Sequence, residues 1–434
     1  MTEDDLNPIE SILLEEGEKE SKLIENRKLL DPTYIVDEDR IVGRDEQLNK
    51  VARALRVILE GDRAANLFLY GPSGTGKSLI TKAVCRNLKN LSEDNGIRLG
   101  TVEMNCRNLK TLDTAVHEMG EETAKEAGTD YDVPRRGYST EYKYDKLFEL
   151  VEENFDSLIY IFNELDMLSG RSDKDEPAFS RLLYTLSRLE ETRSLSTNVT
   201  TIAISNDTRL MDQIDSRAES TFSPEEIHFD DYDANQLRSI LDRRRDAFRE
   251  GVLSESTLPL AAALAAQDHG DARKAIDLLR ISGDMAELDN EQEVTEEHVK
   301  RAQKKIEESR VLEVIRGLSP QKKYSLYSTA KVASMAENRT ARSVEGYRVY
   351  QHMMDEIDAD KRIKETYTNK LKELSTYSLL NWERNSEGPS SGAFLEFKFE
   401  TDLDAIVETL EQEEWYNRLD ESRLRQTIRE SFTR

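Results

Sequence analysis

Cysteine is nearly missing from this sequence: Cys85 and Cys106 are the two in 434 residues, and no C-x-x-C pair occurs. That scarcity excludes a disulfide framework and a cysteine zinc site, and it suits a reducing cytoplasm. No apolar run reaches the ~20 residues of a membrane span. The first residues, MTEDDLNPIE, lack the basic-then-apolar layout of a secretory signal. Positive charge is also scarce, with 61 Lys+Arg against 87 Asp+Glu for a net −26. Spread evenly, that charge would repel a polyanion, because Lys and Arg supply most non-specific affinity for DNA. It is not spread evenly. Residues 310–434 carry 20 basic and 22 acidic side chains, and within them 316–384 carry 13 basic against 9 acidic, net +4. The acidity elsewhere suits either a salt-rich cytoplasm, where it keeps a protein hydrated, or an ordinary acidic protein.

At roughly 100–200 residues per domain, the length suggests two to three domains. Residues 9–30 read as a charged helix ending before Asp31-Pro32. Residues 45–60 place Leu48, Val51, Ala52, Leu55, Ile58 and Leu59 at the spacing of an amphipathic helix. Short apolar strands are expected at 66–70, 99–105, 158–162 and 200–205, with helical stretches between them, the alternation a parallel sheet requires. From about Asp233 strand signals stop, and 234–250, 257–266, 271–288 and 295–309 read as a small all-α unit. Three helical patterns follow at 321–337, 342–357 and 362–377. Two β-rich stretches, 379–384 and 393–399, flank a Gly/Ser/Pro tip. Three helices and a hairpin form the layout of a winged helix.

The chemistry is concentrated in Gly71-Pro72-Ser73-Gly74-Thr75-Gly76-Lys77-Ser78, which satisfies G-x-x-x-x-G-K-[ST] between a strand and a helix starting at Leu79. In such a loop backbone N–H groups wrap phosphates, the lysine reaches the β/γ oxygens and the hydroxyl binds Mg²⁺. The acidic partner is expected at the end of the 158–162 strand, where an Asp usually orients the metal's water shell and a Glu the attacking water. Here the first position is Asn163, which carries no charge, so Mg²⁺ binding is expected to weaken. Glu164 remains as the base, and Asp166 either assists or caps a helix. Asn206, at the end of the 200–205 strand, is placed to sense a γ-phosphate. Arg217 either reaches a nucleotide, across a subunit interface, or is simply solvated. Arg273, opening a helix of the all-α unit, is expected to reach the phosphates from that lid.

Together these segments resemble the AAA+ replication initiators of archaea, relatives of origin recognition complex subunit one and cell division control protein six. The resemblance rests on DPTYIV at 31–36, VGRDEQL at 42–48, GPSGTGKS, NELD, AISND, DSRAES, YDANQLRSILDRR at 232–244 and GDARKAIDLLR at 270–280, in that order over roughly residues 20–400. It implies an α/β AAA+ P-loop domain with a parallel sheet, an all-α lid and a C-terminal winged-helix domain. It also implies ATP or ADP with Mg²⁺, double-stranded DNA at replication origins, the replicative helicase and paralogous initiators as partners, and no membrane. The purine would meet Tyr34, Ile35, Val36 and Arg44. The phosphates and metal would meet the P-loop through Leu79, with Asn163, Glu164, Asn206 and Arg273. Family members carry an extra DNA-touching helix after the second strand; residues 108–127 and the loop 133–138 occupy that place, with Arg135 and Arg136 as phosphate contacts or as a plain exposed loop. In the winged helix, Lys361, Arg362, Lys364, Lys370 and Lys372 suit phosphates, and Thr366, Thr368 and Asn369 suit base edges.

The expected division is an N-terminal helical extension over 1–30, the nucleotide-binding domain over 31–230, the lid over 231–309, the winged helix over 310–402 and a helical acidic tail over 403–434. Two departures from the family pattern stand out: Asn163 in the metal-side position, and a wing tip, Glu387–Gly392, without a basic residue. The expected activity is origin binding with helicase recruitment and at most slow ATP hydrolysis; the alternative is a regulatory DNA-binding paralogue that has lost loading.

Overall fold

The computed structural model describes residues 23–170, 176–189, 195–377, 379–386, 393–399 and 401–432. It divides between Val299 and Lys300 into two compact units.

The first unit is built on five parallel strands. In chain order come α1 (Asp45–Leu55), β1 (Leu67–Tyr70), α2 (Lys77–Asp94), β2 (Leu99–Asn105), α3 (Leu112–Ala127), α4 (Thr140–Asn154), β3 (Ser157–Asn163), α5 (Ala178–Ser187), β4 (Asn198–Ser205), α6 (Ser216–Phe222) and β5 (Glu225–His228). The sheet order is β2-β3-β4-β1-β5. Every pairing is parallel. The interior strand β3 is buried along its whole length. Leu158, Tyr160 and Phe162 pack with Val116, Leu147 and Leu182 on one face. Ile159 and Ile161 pack with Val51, Ile80 and Val84 on the other. A strand covered on both faces needs no polar alternation, which is why it is written as an unbroken apolar run. The apolar-run criterion passes over β5 because only Ile227 of its four residues is buried.

Helical elements close the first unit: α7 (Ala234–Asp242), α8 (Thr257–Gln267), α9 (Ala272–Leu288) and the start of α10 (Glu296–Gly317). A capping box starts α7: Asp233 Oδ1 accepts from the Gln236 amide at 2.8 Å, and Gln236 Oε1 accepts from the Asp233 amide at 3.0 Å. The expected N-terminal helix needs correction. Residues 1–22 of that reading lie outside the described residues. Residues 23–30 form a bridge from Ile24 to Phe248 and a 3-10 turn over Arg27–Leu30. Their amides at Leu23 and Ile24 donate to Glu287 Oε1 at 2.8 and 3.0 Å, a side-chain acceptor that replaces the i−4 carbonyl of a helix. Cys85 and Cys106 are free and buried, and burial pushes both thiols up to about 12, so they serve as packing residues.

The second unit continues with α11 (Pro320–Met335), β6 (Thr340–Arg342), α12 (Ser343–Glu356), α13 (Lys364–Leu374), β7 (Leu380–Ser386), β8 (Ala393–Phe399), α14 (Leu403–Glu411) and α15 (Glu421–Phe432). The three strands form an antiparallel sheet in the order β6-β8-β7. β6, only three residues long, adds a strand to the expected hairpin. Of the expected tail over 403–434, residues 403–432 are described and are not separate: Leu403, Ile406, Leu410, Leu424 and Ile428 share one core with Leu326, Val349 and Leu371. Their apolar side chains recur at helical spacing among many charged ones, so composition alone hides the docking face. The wing tip lies outside the described residues. Among the described residues no helix is long and apolar enough to cross a membrane.

Within this core Tyr327, Tyr350 and Tyr367 are fully buried. Tyr367, on α13, bonds Thr329 Oγ1 of α11 at 2.6 Å. Gly346 of α12 makes room for that phenol: a Cβ there would lie 2.4 Å from the Tyr367 hydroxyl. Alanine gains about 1 kcal/mol of helix propensity, but overpacking a filled core costs about 1–3 kcal/mol. Gly346→Ala is therefore expected to lower the unfolding midpoint of this unit. Tryptophan fluorescence during denaturation reads it selectively, since Trp382 and Trp415 are the chain's two tryptophans.

Candidate functional site

The phosphate loop leaves β1 at the carboxyl edge of the sheet and turns into α2, between β4 and β5. Gly71 has φ +137° and a Cβ on it would meet the Phe229 carbonyl oxygen at 2.1 Å. Gly74 has φ +74° and its Cβ would meet Asp271 Oδ1 at 1.8 Å. Both positions demand glycine for backbone angle and for close approach. The Ala272 amide donates to the Gly74 carbonyl at 3.3 Å, joining the loop to α9. Lys77 is buried, and its ammonium donates to the carbonyls of Gly71 and Pro72, each at 2.6 Å, and to Asn206 Oδ1 at 3.0 Å. Burial first, then the positive Arg273, pull this ammonium down to about 8.

At the ends of β3 and β4 the polar groups interlock. Ser78 Oγ donates to Asn163 Oδ1 at 2.7 Å, and Asn163 Nδ2 donates to Glu103 Oε1 of β2 at 2.6 Å. Glu164 sits at φ +52°, a left-handed conformation that costs a non-glycine residue about 1–2 kcal/mol and turns its carboxylate off the strand line. Arg107 meets that carboxylate, with nitrogens 3.0 and 3.2 Å from its oxygens. Asp166 caps no helix. Its Oδ1 accepts from Ser205 Oγ at 2.7 Å and from the Asn206 amide at 3.4 Å, tying β3 to β4 and steadying Asn206.

A cavity of about 450 Å³ spans this polar end and an apolar end, within the range of small-molecule sites. Tyr34, Ile35, Val36, Ile41, Val42, Ile240 and Ile276 line the apolar part, and Ser73 through Leu79, Glu103, Asn163, Glu164, Asn206 and Arg273 line the rest. Gly71 and Pro72 stand behind that lining and hold Lys77. Arg44 corrects the purine expectation: it is buried and does not line the cavity. Its Nε donates to the Thr75 carbonyl at 2.9 Å, another nitrogen donates to the Asp230 carbonyl, and the guanidinium stacks 3.7 Å from the Tyr232 ring centre. Its hydrogen bonds go to the backbone rather than into the cavity. Arg217 lies outside this cavity, exposed, with Nε 2.9 Å from Asp215 Oδ1.

Models of three families match successive parts of the chain: the AAA ATPase domain over residues 40–197, the Cdc6 AAA+ ATPase-type lid domain over 238–304 and the CDC6 C-terminal winged helix domain over 313–409. An ORC1-type DNA replication protein 5 of Halobacterium salinarum is 48% identical over 88% of this chain and 90% of its own length. An ORC1-type DNA replication protein 14 of Haloarcula marismortui is 46% identical over 93% and 94%. The chain belongs to the ORC1-type DNA replication protein family. Among solved structures, the Aeropyrum pernix ORC1 protein in complex with DNA matches with a TM-score of 0.74 and 29% identity, covering 92% of this chain and all of that one.

The ORC1-type chain holds its other predicted residues in two places. Between α3 and α4, Arg135 and Arg136 are exposed on a loop anchored by buried Val133. The fully buried Lys143 donates to Asp113 Oδ2 at 2.7 Å and to the Arg135 carbonyl at 2.8 Å, fixing that loop. In the winged helix, Lys361 and Arg362 precede α13, and Lys361 pairs with Asp355 at 2.5 Å. Lys364 and Asn369 are exposed, Thr366 and Lys370 half-buried. Lys372 Nζ lies 4.5 Å from the Trp382 ring centre. Thr368 corrects the base-edge expectation: it is buried, and its hydroxyl donates to the Lys364 and Glu365 carbonyls of its own helix. Beside Arg40, Lys82, Tyr232 and Arg244, the cavity residues that sequence reasoning missed include Glu103 and Arg107. Their signal is weak, because which strand neighbours β3 cannot be read from local pattern.

Two outcomes follow. Arg44→Ala is expected to destabilise the unliganded protein by about 2–3 kcal/mol, the worth of hydrogen bonds from a charged donor; a purine contact would instead lower affinity without changing the unliganded unfolding midpoint. An anionic phosphate favours the charged form of Lys77, so affinity for nucleotide should be flat between about pH 7, where the terminal phosphate is largely deprotonated, and about pH 8, and fall by up to about tenfold per unit above it. Calorimetric titration across that range measures it.

Proposed function

We propose that this chain is a DNA replication initiator that holds ATP or ADP with Mg²⁺ as a switch, marks double-stranded origin DNA and helps recruit or load the replicative helicase beside paralogous initiators. The observation that carries this reading is the likeness, at 29% identity over 92% of the chain, to an ORC1 protein whose structure was solved in complex with DNA. In this reading the P-loop amides and Lys77 grip the phosphates, the apolar end takes the purine, and Arg273 reports nucleotide to the lid. The side-chain oxygens of Ser78, Asn163 and Glu164 line the cavity, the chemistry that suits Mg²⁺ beside phosphates and water. Bound there, Mg²⁺ neutralises phosphate charge. Asn206 senses the terminal phosphate, Glu164 orients water, and Arg217 serves a neighbouring protomer's nucleotide. Turnover is slow, because Asn163 is neutral and Arg107 engages the base.

DNA meets the Arg135–Arg136 loop and the amino end of α13. Lys364, Lys370 and Arg362 suit phosphates, and Asn369 suits an adenine edge. The regulatory alternative is favoured by one observation, the absence of Lys or Arg from residues 387–392. The test is footprinting on chromosomal DNA flanking the gene at the salt of its host. Lys364→Ala, Lys370→Ala, Arg135→Ala and Arg136→Ala should each weaken binding across all sequences and flatten the salt dependence by about one phosphate contact. Asn369→Ala should cost about 1–3 kcal/mol and relax preference at one base pair. Protection confined to promoter DNA, with none at an origin, would favour the regulatory reading.

A further inference from the structure

An asparagine side chain has one donating and one accepting end, so at position 163 its orientation matters as much as its presence. The acceptor, Oδ1, faces Ser78 Oγ at 2.7 Å, and the donor, Nδ2, faces Glu103 Oε1 at 2.6 Å. Glu103 reaches this place because β2 and β3 run parallel in a fixed register: Glu103 pairs with Ile161, and Asn105 pairs with Asn163. Val102 and Met104 point to the opposite, buried face. A carboxylate only accepts, so it admits one amide orientation. An apolar side chain or an amide at 103 would let Asn163 turn its NH₂ toward Ser78 and set a donor against the cation side of the site. Glu103 also lines the phosphate end of the cavity and keeps one ammonium partner, Lys82 Nζ of α2, at 2.7 Å.

Resting on the nucleotide reading above, we propose that Glu103 is a positioning residue for Mg²⁺-dependent nucleotide binding. It locks the Asn163 carbonyl toward Ser78, and from the adjoining strand it returns the negative charge that position 163 lacks. Ser78, donating its proton to that carbonyl, keeps its lone pairs for the cation. Lys82 opposes this by sharing the same Glu103 oxygen.

The experiment titrates Mg²⁺ into the full-length protein with a fluorescent ADP analogue and repeats the nucleotide titration in EDTA. Replacing a group that orients a metal ligand costs about tenfold or more in metal affinity. Glu103→Ala and the isosteric Glu103→Gln should therefore raise the half-saturating Mg²⁺ by about tenfold while leaving the EDTA affinity near wild type. Lys82→Ala, which releases the carboxylate, should lower it. The exchange Glu103→Gln with Asn163→Asp, which moves the charge back to position 163, should restore it. Unchanged Mg²⁺ dependence in folded Glu103→Gln, or a shift in the same direction for Lys82→Ala, would overturn the proposal and leave nucleotide binding intact. Failure of the wild-type chain to bind the analogue with or without Mg²⁺ would overturn the nucleotide reading itself.

Discussion

The phosphate loop keeps its shape because the buried Arg44 guanidinium bonds the loop carbonyl of Thr75 and the carbonyl of Asp230, with the Tyr232 ring stacked against it. Three stretches of chain meet at that cation: the entry to α1, the P-loop, and the segment leaving β5 for the lid. Tyr232 in turn accepts the close approach of Gly270, where a Cβ would lie 2.4 Å from the Tyr232 carbonyl oxygen, so α9 starts against the loop. A buried guanidinium with unmet donors would be costly, and its partners are backbone groups that exist only when all three stretches are in place. Loop shape, lid approach and the burial of Lys77 therefore depend on one set of contacts.

Charge acts differently in the second unit. A count of 13 basic against 9 acidic side chains over 316–384 suggests a polyanion-facing surface. Part of that excess is answered within the unit, because Lys323 and Lys331 pair with Glu413 and Glu411 of the C-terminal segment, each at 2.6 Å. Lys322 pairs with Glu373, and Lys361 with Asp355. The basic residues left at the amino end of α13 are few. In concentrated salt, where screening acts within about 3 Å near 1 M, so small a surplus of charge acts only at short range. The relatives from Halobacterium and Haloarcula are consistent with such a solvent.

Much of the fold was legible because its signals are local. The strand–GPSGTGKS–helix order, the doubly buried run at β3 and the helical periods each follow from neighbours in sequence. β5 and β6 leave no sequence signal because one is a charged edge strand and the other is three residues long, so neither offers a hydrophobic period. Segment 403–434 looked like a tail because its charge outweighs its apolar face in composition, although that face fills the winged-helix core. Residue type alone makes Asp166 and Thr368 candidates, yet each side chain is occupied by nearby polar groups, one across two strands and one within its own helix.

By itself the sequence determined the phosphate loop, the carboxylate-poor end of β3, the lid and the winged helix, because these depend on spacing along one chain. Only the tertiary structure decided what stands beside Asn163. Glu103 lies 60 residues away and meets the amide through the β2–β3 register, a neighbour relation that local periodicity does not encode. Arg44 belongs to the same class: the family resemblance implies a ligand contact, and only the convergence of distant carbonyls shows where its hydrogen bonds go.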